Sequence, residues 1–195
     1  MAQEYHIRNM PQSAIITLGA MMRHSQKVLV GLDTGDLLEY TPGKHVRNIA
    51  SARKQGNTLV IINPITSLKQ SPFIDHIFAA NHDQDFTMIF SVNAGGSSLK
   101  IPTGQIDSLV WSPHRPAVIL ILGTDGILQV WDLLQSTSLP VRTSSVWKKK
   151  ADDFCVIGRR LLVSTAGKLE SRTLDDLWTD VQMDEMAEFL AAITR

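Results

Sequence analysis

Apolar and polar positions along this chain fall into short runs of strand length, punctuated by glycine and aspartate. In the clearest unit, Ile106 to Trp111 leads into Ser112-Pro113, and Val118 to Leu122 follows. Gly123-Thr124-Asp125-Gly126 then turns the chain, and Ile127 to Trp131 returns. Glycine and aspartate tolerate the positive φ of tight hairpins, and β-branched and aromatic flanks suit a pleated surface. The pattern therefore predicts antiparallel strands. Val118-Ile119-Leu120-Ile121-Leu122 shows no polar alternation, which predicts an inner strand covered on both faces. Pro113 and Pro116 fall in the connection, where no ladder donor is missed.

The unit recurs. Ser67-Leu68-Lys69-Gln70-Ser71-Pro72 stands 41 residues ahead of Ser108-Leu109-Val110-Trp111-Ser112-Pro113. Asp85-Phe86-Thr87-Met88-Ile89-Phe90 stands 41 ahead of Gly126-Ile127-Leu128-Gln129-Val130-Trp131, and Gly167-Lys168-Leu169-Glu170-Ser171-Arg172 follows 41 later. A looser match, Gly35-Asp36-Leu37-Leu38-Glu39-Tyr40, lies 50 residues ahead of Asp85 and predicts a longer insert around Pro42 to Gln55. Units of ~40–45 residues with about four strands each are the mark of propeller blades, and helical repeats of that length do not place Gly-Asp turns in mid-unit. An ordinary β-sandwich would leave the shared register a coincidence. The predicted architecture is all-β: a partial β-propeller of about three to four blades over 13–174, after an N-terminal extension over 1–12. A short C-terminal helical segment over 175–195 completes it.

In that last segment the period changes. Thr179 followed by Gln182 resembles a capping box, and Asp180 would complement the positive end of a helix dipole, so a helix is predicted to start there. Met183, Met186, Leu190 and Ile193 then form one apolar stripe, with Asp184, Glu185 and Glu188 facing elsewhere. The stripe either packs on the chain's own blades or docks a partner, a use to which flexible thioethers are suited. These four residues are the candidate partner contacts.

Composition narrows the function. Nineteen basic residues balance nineteen acidic ones, so no long-range field recruits nucleic acid or an anionic membrane. Lys148-Lys149-Lys150 beside Trp147 reads as a solvated turn. The longest apolar runs, Ala14 to Leu18 and Ala117 to Leu122, fall far short of the ~20 residues that span a bilayer. Met1 to Met10 carries Glu4, His6 and Arg8 and lacks the apolar middle of a signal peptide. The single cysteine excludes an internal disulfide, and a soluble intracellular protein is expected.

Catalytic motifs are not found. His6, His24, His45, His76, His82 and His114 are scattered, and the pair His76 and His82 has no third ligand nearby, so solvated loop histidines are expected. Gly95-Gly96-Ser97-Ser98-Leu99-Lys100 lacks the Gly-Lys-Ser/Thr run of a phosphate loop and reads as an inter-strand turn. No G-x-S-x-G elbow is present. Cys155, inside a predicted strand from Asp153 to Ile157, is expected as a buried thiol. The chain thus predicts no catalytic residue, no cofactor and no metal.

Trp131-Asp132, six residues after Asp125-Gly126, resembles the ending of a WD repeat. Trp111-Ser112-Pro113-His114-Arg115-Pro116, followed by Asp125-Gly126 and Trp131-Asp132-Leu133, resembles the penultimate blade of dynein intermediate chains, where W-S-P-x-x-P leads to D-G-x-x-x-x-W-D-L. Gln70-Ser71-Pro72-Phe73 is similar to that family's R-S-P-F, and Val28-Leu29-Val30-Gly31-Leu32-Asp33-Thr34-Gly35 to its F-L-V-G-T-E-x-G. The acidic tail containing Trp178 and methionines is also similar, especially to the axonemal members, and Trp131-Asp132-Leu133-Leu134 leans toward the inner-arm type. The likeness runs from Val28 to Leu174. It departs at Phe90 and Ser91, which replace Trp-Asp, and at Ser171-Arg172, which end the last unit. The family's light-chain-binding arm has no counterpart.

The resemblance implies a non-catalytic scaffold subunit that binds dynein heavy chain alongside other intermediate and light chains. Such a multi-subunit complex attaches the motor to cargo or axoneme, in the cytoplasm, the cytoskeleton and the cilium or flagellum. It also implies a seven-bladed ring of which this chain holds about half, so Ala14 to Met22 is expected to offer an unpaired blade face that favours self-association. The alternative is a WD-repeat scaffold of another complex, a ubiquitin-ligase adaptor or trafficking coat, which would share the fold without the S-P-F and W-S-P-x-x-P pair. A propeller hydrolase would need titratable side chains converging on the channel.

Overall fold

The computed structural model describes residues 16–22, 27–41, 46–51, 64–82, 86–93, 98–145, 153–175, 178–180 and 182–194. Their strands form four sheets in chain order. Blade 1 holds β1 (Ile16–Met21), β2 (Val28–Leu32), β3 (Asp36–Tyr40) and β4 (Arg47–Ser51). Blade 2 holds β5 (Ile65–Gln70), β6 (Ile77–His82), β7 (Phe86–Ser91) and β8 (Ser98–Ile101). Blade 3 holds β9 (Ile106–Trp111), β10 (Val118–Gly123), β11 (Ile127–Asp132) and β12 (Arg142–Ser145). Blade 4 holds β13 (Asp153–Ile157), β14 (Arg160–Thr165) and β15 (Lys168–Thr173), and one helix, α1 (Glu185–Ile193), follows.

Every sheet is an antiparallel meander in which each strand pairs with the next. The first strands β1, β5, β9 and β13 lie side by side, and the later strands of each sheet step away from them. This is a partial β-propeller. The repeat is kept strand for strand: β5, β6 and β7 begin 41 residues before β9, β10 and β11, and β15 begins 41 after β11. Gly35, Gly126 and Gly167 stand just ahead of the third strand of blades 1, 3 and 4 with φ of 77°, 80° and 78°. Only glycine adopts that geometry without strain, which is why the Gly-led turns recur.

Blade packing explains the unbroken apolar runs. From β6, Ile77 and Ala79 join the core shared with blade 3, and Phe78 and Ala80 join the core shared with blade 1. From β10, Ile119 and Ile121 face blade 2, and Val118, Leu120 and Leu122 face Phe154, Leu161 and Val163 of blade 4. All six β10 residues are buried, as the run predicted. Burying one such side chain contributes roughly 1.5–3 kcal/mol, so the contacts between blades dominate the stability of the arc.

At Gly31 the blades approach so closely that an added Cβ would sit 3.0 Å from both Cβ and Cγ2 of Ile65. Gly31→Val is expected to destabilise the chain by about 1–3 kcal/mol in urea unfolding, and Ile65→Ala should recover part of the loss. Additive losses would mean that the two positions do not touch.

One expectation changes. The supposed insert at Pro42 to Gln55 supplies β4, with 42–45 and 52–55 outside the described residues. Of the stretch Ala14 to Met22, where an unpaired blade face is expected, Ile16–Met21 form β1, which pairs with β2 and lies beside β5, and Ile16 is 48% exposed. Blade 1 also buries Val30, Leu32 and Leu38. Blade 4 has three strands among the described residues, and every residue of β15 is exposed.

Candidate interaction surface

The two Ser-Pro motifs build the same turn in neighbouring blades. Ser71 Oγ accepts from the N–H groups of Phe73 (3.2 Å) and Ile74 (3.3 Å), and Ser112 Oγ from those of His114 and Arg115 (both 3.1 Å). Ser71 N–H donates to Ile77 O and Ser112 N–H to Val118 O, each at 2.9 Å. Proline suits the position after the serine because that N–H has no partner to lose.

Around the shared turn the blades differ at two positions that matter chemically. Blade 2 places the apolar Ile74 where blade 3 places Arg115, and Ser91 where blade 3 places Asp132. Arg115 is 3% exposed, donates through Nη2 to Asp132 Oδ2 at 2.8 Å and through Nε to Glu185 Oε2 at 3.0 Å. Glu185, 2% exposed, also accepts from the Ala117 N–H at 3.3 Å. Asp132 Oδ1 accepts from the N–H groups of Leu134 (3.2 Å) and Gln135 (3.3 Å). Burial opposes the guanidinium charge, but the hydrogen bond to Glu185 and the two nearby carboxylates outweigh it and hold the Arg115 proton more tightly than usual.

The triad fastens the C-terminal segment across three blades. Trp178 is buried against Val118, Leu161 and Val163, and its carbonyl accepts from Ser112 Oγ at 3.2 Å. The Arg142 guanidinium lies 5.2 Å from the Trp178 ring centroid and pairs with Asp175. Farther along, Phe189 and Ile193 enter the core of blades 2 and 3 with Ile74, Trp111, Ala117 and Leu133. Trp111 meets Phe189 edge-on at 6.1 Å, while its indole N–H donates to Lys69 O of β5 at 3.0 Å.

The helix begins later than its sequence signals indicate. Thr179 Oγ1 accepts two bonds from Arg159 (2.7 and 3.1 Å) instead of capping a helix, and Asp180 pairs with Arg159 at 2.8 Å. Asp184 is the N-cap residue, with φ 63° and no side-chain cap bond. The expected stripe divides: Ile193 is buried, Leu190 is partly buried against the core, and Met183 and Met186 are 88% and 50% exposed. Glu185, Phe189 and Ile193 form the seated line, so Glu185 faces the core. Its carboxylate gave no apolar signal because its partner lies 70 residues earlier. The spacing of Glu185, Phe189 and Ile193 at steps of four was the available clue.

Blade 4 offers the other open surface. Cys155, expected buried, is exposed, because alternation along β13 turns Phe154 toward blade 3 and Cys155 away from it. Ile157 and Leu169 are 62% and 71% exposed. His82, expected as a loop residue, lies buried in β6 and stacks on Phe86 at 4.8 Å. His76 is half-buried in a turn, and a His114 ring nitrogen contacts Gly158 O at 3.0 Å. No group of three or more His, Cys, Asp or Glu able to hold a metal occurs among the described residues, and no helix among them is long and apolar enough to cross a membrane. His6, His24, His45, residues 94–97 of the Gly95 segment, and the Trp147 to Lys150 run lie outside the described residues.

No family model matches the chain. It is 29% identical over 117 residues to dynein axonemal intermediate chain 2 of Xenopus laevis, covering 58% of this chain and 20% of that one. It is 29% identical over 119 residues to dynein intermediate chain 3, ciliary, of Heliocidaris crassispina, covering 60% and 20%. Cytoplasmic dynein 2 intermediate chain 1 of Mus musculus is 29% identical over 93 residues, covering 43% and 9%. The chain therefore spans a fifth or less of the length of the curated relatives it matches. By sequence, this partial propeller is a relative of the dynein intermediate chains.

Proposed function

We propose that the chain is a non-catalytic, dynein intermediate-chain-like scaffold subunit that binds dynein heavy chain and helps attach the motor to cargo or axoneme. It acts within a multi-subunit complex with other intermediate and light chains, in the cytoplasm and cytoskeleton and in the cilium or flagellum. The observation that carries this reading is the similarity to axonemal, ciliary and cytoplasmic dynein 2 intermediate chains. A braced arc of blades suits such a role, because loops on a rigid scaffold dock without a large ordering cost. The tail adds a presented surface: Leu190 and Ile193 hold α1 against the blades, and Met183 and Met186 project as its partner contacts.

A tagged chain expressed in ciliated cells should recover dynein heavy chain, identified by mass spectrometry. Met183→Asp with Met186→Asp should lower that recovery roughly ten-fold or more at an unchanged melting temperature, as expected for contact residues at a docking face. Recovery of a ubiquitin ligase or coat complex in place of dynein would overturn the assignment. Undiminished recovery by the double variant would remove the methionines from the interface.

A further inference from the structure

The C-terminal segment is anchored in two parts with a strained joint between them. Blades 3 and 4 hold the first part: Leu174 and Trp178 lie in their shared core, and Arg159 grips Thr179 and Asp180. The second part is α1, seated on blades 2 and 3. Asp184 joins them at φ 63°, a conformation disfavoured for a residue with a Cβ, and its side chain makes no cap bond. A nine-residue helix is marginal without packing, so α1 owes its form to the groove that holds it. Glu185, Phe189 and Ile193 stand at steps of four, the anchor spacing of a helix laid in a groove. Ile74, Trp111, Ala117 and Leu133 give Phe189 and Ile193 an apolar seat, and Arg115 binds Glu185 where the helix begins. Blade 2 places Ile74 at the position equivalent to Arg115, so the same turn accepts an apolar residue. What the buried guanidinium adds is discrimination: a helix without the glutamate leaves Arg115 short of one of its two carboxylates.

We propose that the groove across blades 2 and 3 is a helix-recognition site, with Arg115 as its specificity-determining residue and α1 as an exchangeable occupant. The incoming ligand is an amphipathic helix of a partner protein that carries glutamate with large apolar residues four and eight positions later. The tail of a second copy has the same motif, but Trp178, seven residues ahead of Glu185, ties it to its own blades. A partner helix reaches the groove without that tether. Exchange detaches α1, with its exposed Met183 and Met186, while Trp178 stays seated, so arrival at the groove changes what the tail presents. The groove has this chemistry whichever complex the chain joins.

The full chain carrying Phe189→Ala has its own occupant weakened, and a fluorescent peptide of residues 182–195 serves as the probe. In fluorescence anisotropy the peptide should bind this variant, and bind the wild-type chain roughly ten-fold or more weakly, because the tethered α1 competes. A Glu185→Gln peptide should bind the variant roughly ten-fold more weakly than the wild-type peptide, since a charge-assisted hydrogen bond is lost. Adding Arg115→Met to the chain should erase the difference between the two peptides; should that chain fail to fold, the peptide comparison on the Phe189→Ala chain decides. Loss of blade circular dichroism and hydrogen-exchange protection together with α1 in Phe189→Ala would make the helix part of the core and overturn the proposal. So would a variant whose α1 amides exchange freely yet binds no peptide, or binding indifferent to Glu185→Gln.

Discussion

Arg115→Met is expected to cost about 3–5 kcal/mol, because removing one member of a buried ion group leaves the others uncompensated in a low dielectric. Glu185 would be left with the Ala117 N–H as its remaining hydrogen-bond donor among those described above, and Asp132 would keep its two backbone donors. For a chain of this size the melting temperature should fall by roughly 6–20 °C. Glu185→Gln is the milder test: Arg115 keeps Asp132 at 2.8 Å, so a loss of about 1–3 kcal/mol is expected. Hydrogen exchange should locate that second loss. The amides of α1 should exchange faster while those of β10 stay protected, since a nine-residue helix is marginal without tertiary packing. Wild-type melting of Arg115→Met would show that the triad does not hold the tail.

Trp111→Ala carries the second large effect, about 3–5 kcal/mol in chemical unfolding. Trp111 touches all three parts of the clasp: it belongs to β9 of blade 3, donates to Lys69 O of blade 2, and meets Phe189 of α1. Trp111→Phe keeps most of the ring volume and loses only the indole donor, so about 0.5–1.5 kcal/mol is expected. Combined with Phe189→Ala, Trp111→Ala should cost less than the sum of the single losses, because the rings share one contact. Strict additivity would indicate that the helix does not seat on this indole.

The blades were legible because their causes are local. Alternation, Gly-led turns and the 41-residue step specify each hairpin without reference to the rest of the molecule, and the strands begin where that step places them. The tail was misread for the opposite reason. Thr179 and Asp180 carry the marks of a cap, but both are taken by Arg159, a residue of the turn between β13 and β14. Met183 continues the apolar spacing of the helix, yet lies ahead of its first turn and in solvent. Glu185 looks like a surface charge until Arg115 is set beside it.

The sequence by itself determined the strands, their order and their propeller period, because hairpin geometry and alternating burial are encoded within about ten neighbouring residues. Tertiary structure alone decided which of the repeated Ser-Pro turns receives the tail and which helix face is seated. Those choices depend on charges and apolar faces far apart in the chain, and only folding brings Arg115, Asp132 and Glu185 within hydrogen-bonding distance.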